Sequence, residues 1–146
     1  MKHYHAINVL QAMRAEALAE VANALELNSA KNASDLHLND VEARNKSLAS
    51  DCGYAVAVLR ADRIDDRDNQ LRHLKHHEAP IRVMSSLNDY RHEVILKDRA
   101  LRDDNGLDLD AIAMLSDYNQ QEIADLTTAI NVLAAFPWAV KASVSN

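Results

Sequence analysis

The densest chemistry in the chain is a group of three histidines, His73, His76 and His77, set among Arg72, Lys75 and Arg82. On a helix, His73 stands three or four residues from His76 and His77, the spacing at which two imidazoles can share a metal ion. Glu78, and His92 from a following helix, would extend the set. The pattern lacks what a di-iron bundle needs, because no Glu is followed three residues later by His. Its plainer reading is a solvated helix end, where cationic side chains meet the negative pole of the helix dipole. The same six residues also form a local positive site in an acidic chain, suited to a phosphate, a nucleotide or a partner's acidic surface. Arg72, His73, Lys75, His76, His77 and Arg82 are therefore the candidate ligand- or partner-binding residues.

Carboxylates make the second group. Asp62, Asp65 and Asp66 fall on neighbouring turns, a display that could hold magnesium for metal-assisted hydrolysis if an adjoining helix supplied more acids. Asp98, Asp103 and Asp104 are available, but their spacing matches no such motif. His73, His77, Asp62 and Asp66 are the weak metal candidates, and the expectation is a chain with no metal and no cofactor. The acidic run around Gly106 fails as a calcium loop: with glycine in its required slot, the first and twelfth ligand positions fall on Leu101 and Ile112. A free amino terminus ahead of His3 could chelate copper or nickel, a signal only three residues long. Cys52 lies on an apolar stripe and reads as packing. With only two glycines in the chain, a phosphate loop built from backbone amides is excluded. Little here resembles a catalytic constellation, so the reading leans away from an enzyme.

These residues must be positioned by helices. Two Gly, two Pro and 4% aromatic residues, against many Ala and Leu, leave an all-β fold without its turns or its strands. The fold class expected is all-α, an antiparallel bundle of about four helices in one domain over residues 1–146, with 136–146 as a C-terminal tail. A first helix is expected over 3–27, from Ile7, Leu10, Met13, Ala17, Val21, Ala24 and Leu25 at three- and four-residue spacing. After a polar connector over 28–38, Asn39 with Glu42 offers a capping box. A helical pattern then runs from 39 to 106, folding back at Ala79-Pro80 as a long central hairpin. Pro80 suits the first position of its second arm, and Asn105-Gly106 a left-handed cap at its end. Asp108 or Asp110 caps a last helix with Ile112, Leu115, Ile123, Leu126, Ile130 and Leu133 as its core face, ending before Pro137. Gly53, inside a buried stripe, is expected to permit close approach of a neighbouring helix.

A continuous helix over 39–78 would measure about 60 Å, against a radius of gyration of about 15 Å for a domain of this size. Such an arm would project and be covered by another copy. Like charges share its faces over 60–69, so Arg60, Asp62, Arg63, Asp66 and Arg67 are the expected oligomer seam. The net charge of −6 opposes broad attraction to nucleic acid or to anionic membranes. No run approaches the roughly 20 apolar residues of a membrane span. A single cysteine suits a reducing compartment, so the expected location is cytoplasmic. The partners expected are the chain itself, as a homo-oligomer, and another protein, with no membrane partner and nucleic acid disfavoured. The function expected is that of a non-enzymatic helical interaction protein. Its alternative is anion or nucleotide binding at the 72–82 corner, with hydrolysis if Asp62, Asp65 and Asp66 hold a metal.

Overall fold

The computed structural model describes residues 2–31, 35–62, 71–104 and 106–139. Among them are four α-helices, α1 (Tyr4–Lys31), α2 (Leu36–Ala61), α3 (Ile81–Arg102) and α4 (Leu109–Ala135), with a short 3₁₀ turn over Arg72–His76 and no strand. The all-helical reading holds, and the helices pair as two hairpins, α1 with α2 and α3 with α4. The bases of the two hairpins share one apolar core. Ala6, Ile7 and Leu10 enter it from α1, Cys52, Val56 and Leu59 from α2, Val83 and Leu87 from α3, and Leu126, Ala129 and Leu133 from α4.

This pairing replaces the expected central hairpin. α2 stops at Ala61, so its 26 residues extend about 39 Å rather than 60. Two forces end it. The Asp62 carboxylate turns back to Lys2 Nζ (3.1 Å) and His3 Nε2 (2.8 Å), and Leu71 and Leu74 bury in the core, which a straight helix would not allow. The chain then crosses as a 3₁₀ turn and an extended stretch, with Glu78 in an isolated parallel bridge to Ala139. Arg63, Asp65, Asp66 and Arg67 lie outside the described residues.

Other boundaries move for local reasons. α1 runs on to Lys31. α2 begins at Leu36 rather than Asn39, because Asp35 is the better cap: its Oδ1 accepts from His37 N (2.9 Å) and Leu38 N (3.3 Å). Asn28 ties the connection, its Oδ1 accepting from Asp35 N and its Nδ2 donating to Asn39 Oδ1. α3 ends at Arg102, and Gly106 is not left-handed; its N–H instead donates to Asp104 Oδ1 at 2.7 Å. Among the described residues only His3 has a positive φ, 63°. Residues 136–139 dock on the body: Phe136 is buried, Trp138 meets it edge-on at 4.6 Å, and Trp138 Nε1 donates to Leu133 O.

Gly53 also departs from expectation. A Cβ built there meets only Arg14 Nε, at 4.0 Å, so no helix approaches closely enough to require glycine. Gly53→Ala is therefore expected to stabilise the fold by about 0.5–1 kcal/mol through helix propensity alone, a rise of about 1–4 °C in Tm by differential scanning calorimetry.

Candidate functional site

Four of the six residues of the basic corner share the 3₁₀ turn, with His77 next to it and Arg82 at the start of α3. Arg72, His73 and His76 are exposed on the 3₁₀ turn, Lys75 is half-buried beside them, and Arg82 stands exposed on the first turn of α3. His77 turns the other way and stacks on Tyr54 of α2, centroids 4.1 Å apart at 27°. Its carbonyl accepts from Ala139 N at 2.8 Å. Burial pushes the Asp51 carboxyl up, and the electrostatic influence of His77 and Arg82 only partly offsets it. Among the described residues no three His, Cys, Asp or Glu side chains are placed to hold a metal ion.

Of the carboxylate group, Asp62 is engaged within the chain. Burial raises its pKa, but the bonds from His3 and Lys2 more than reverse this and leave it below the usual value. His3 itself is 1% exposed, and its Nε2 is held by Asp62. Arg60 is exposed on the last turn of α2. The Cys52 thiol is buried and pushed up to about 11, first by desolvation and then by Asp51, which agrees with a packing role and not with a nucleophile.

Sequence reasoning missed a different feature, the arm formed by the far halves of α3 and α4. Its seam is polar. Asp98, 3% exposed, accepts from Gln120 Nε2 (2.8 Å) and Asn119 Nδ2 (3.3 Å) and forms an ion pair with Arg102 (3.1 Å), whose Nε–H donates to Ser116 Oγ (3.2 Å). Further in, Tyr90 donates to Glu122 Oε1 at 2.8 Å, and its phenol is pushed up to about 12 by burial and by that carboxylate. Arg91 spans from Asn88 to Thr127. These bonds fix how α3 lies on α4 without an extensive apolar seam.

Several apolar residues of the arm consequently face outward, although Val94 is buried. Leu109 and Met114 are 81% and 72% exposed, and Leu96, Leu107, Leu115 and Tyr118 are also exposed. A groove of about 410 Å³ runs between the helices, lined by Lys97, Ala100 and Leu101 of α3 and by Leu115 and Tyr118 of α4. Nearer the core, α1 begins against this side of α4: Asp125 Oδ2 accepts from Ala6 N at 3.1 Å, and His5 meets Tyr118 edge-on at 5.6 Å. The face of α4 that receives the start of α1 thus continues past it, and no helix among the described residues covers it. The expected core role of Leu115 is corrected by this geometry: its spacing is that of a core face, but the arm has outrun the body.

No helix among the described residues is long and apolar enough to cross a membrane. No protein-family model matches the chain, and no curated protein or solved structure matches it either.

Proposed function

We propose that this chain is a non-enzymatic helical interaction protein that binds through the α3–α4 arm. The groove at Leu101, Leu115 and Tyr118, continuous with the seat of α1, supports this reading, and Leu109 and Met114 add exposed apolar side chains on the same helix. Contiguous exposed apolar surface is the usual mark of a docking site. A groove between two helices, capped at one end by another helix, is shaped for an amphipathic helix. The partner's helix would extend the line of α1 along the arm, with Lys97 and Asp104 at the rim to set its polarity. A second copy of the chain supplies such helices, so self-association is the form to test first.

The alternative of hydrolysis at the Asp62 group loses ground, because Asp62 is already committed to Lys2 and His3. Sedimentation equilibrium of wild-type protein and of Leu109→Glu with Met114→Glu tests the arm. Both side chains are well exposed, so the double variant should keep wild-type circular dichroism and Tm within about 0.5 kcal/mol of stability. Its self-association is expected to weaken by about 100-fold or more, as buried charge does at an interface core. Equal association of the two proteins would remove the arm as the self-association surface.

A further inference from the structure

We infer that the notch at Gly53 is a binding site for a small organic phosphate monoester. Several observations converge there. Gly53 costs helix stability, and no neighbouring helix needs it. Its missing side chain opens a groove between α1 and α2 of about 560 Å³, within the size range of small-molecule sites. Arg14, Lys46 and Ser50 line that groove, and no acidic residue does, in a chain of net charge −6.

Arg14 has no hydrogen bond or ion pair among the described residues, and its Nε faces the position a Cβ would take on Gly53. Lys46 carries only an exposed pair with Glu42, at 2.6 Å, which solvent already weakens. A guanidinium without a partner presents a planar fork matched to phosphate oxygens, and an ammonium beside it adds a point charge. Ser50 supplies a hydroxyl. The rest of the groove is apolar, from Leu18, Ala49 and the ring of Tyr54, and Tyr54 is held in place by its stack on His77. A phosphate at Arg14 and Lys46 would therefore leave an apolar or aromatic body lying over Gly53 against Tyr54. An inorganic ion alone would fill only the charged end.

The two glycines make the test direct, since Gly53 lies in the groove and Gly106 on the opposite hairpin. In ¹⁵N-labelled full-length protein titrated with phenyl phosphate, the Gly53 amide signal is expected to shift to saturation while Gly106 stays still. Arg14→Gln should weaken that saturation by about 10-fold or more, as loss of a charge-assisted contact does. Gly53→Leu, which fills the notch, should abolish heat of binding in calorimetry while its Tm stays at or above wild type. An immobile Gly53 signal, parallel movement of Gly106, or an Arg14→Gln titration equal to wild type would each overturn the assignment. So would an equal response to inorganic phosphate, which would leave a simple charged patch. Because the arm lies on the other hairpin, its variants should leave this titration unchanged, so the two readings can fail separately.

Discussion

Leu126→Ala is expected to be the most damaging single truncation, costing about 3–5 kcal/mol. Leu126 is fully buried where the bases of both hairpins meet, alongside Leu10, Leu59, Leu87 and Leu133. Removing its side chain loses transfer free energy and leaves a cavity that four helices from two hairpins cannot all close upon. The contrast is Leu109 on the same helix, 81% exposed, whose truncation should cost less than about 0.5 kcal/mol. Urea denaturation of the two variants measures the difference, as a fall in midpoint with unchanged slope for Leu126→Ala. Near-equal costs would mean that the arm is as firmly packed as the core, against the geometry of its outward leucines.

The second large effect is expected from Asp98, through a polar mechanism. Asp98→Ala should destabilise by about 2–3 kcal/mol, because it strands the buried Asn119 amide and frees Gln120 and Arg102 from the seam. The pH dependence separates this from simple packing. Burial pushes the Asp98 carboxyl up, but the bonds from Ser116, Gln120 and Asn119 and the Arg102 charge prevail and hold it below its usual value. A carboxyl depressed in the folded state contributes stability that is fully present above its unfolded pKa of about 3.9. That stability is lost as pH falls through the folded value. Wild-type stability should therefore decline steeply below about pH 4, and Asp98→Asn should decline less while starting lower. Asp62, depressed in the same direction by His3 and Lys2, should keep part of the slope in that variant. Parallel acid limbs for wild type and Asp98→Asn, followed by chemical denaturation at stepped pH, would show that Asp98 is not an ionised acceptor in the folded chain.

Both predictions concern how an arm can be rigid and still leave its apolar residues free. In α1 and α2 the inner apolar positions, Ala6, Leu10, Ala17, Cys52 and Leu59 among them, are buried, while Leu18, Leu25, Leu27 and Leu36 stay exposed. In the outer half of α3 and α4, the Asp98 group and the Tyr90–Glu122 bond hold the helices together. Leucine and methionine side chains are then not needed inside, and they are available for a partner.

Residue types and spacing by themselves determined the helical class and most of α4. Asp108 before it and Pro137 after it bound an apolar period interrupted only where Asn119 and Glu122 turn inward, and local signals of that kind act within a few residues. The burial of Cys52 was equally legible. Only the tertiary structure decided where α2 ends, because that depends on Lys2 and His3, some 60 positions away, and on the burial of Leu71 and Leu74. It also decided that Asp125 satisfies an amide in the first turn of α1, a bond 119 positions long. Periodicity marked Leu115 as facing inward, yet periodicity reports a face and not whether anything covers it. Gly53 looked like a packing device for the same reason. A sequence shows which side chain is missing, while the space left behind is set by a neighbouring helix, here by Arg14 of α1.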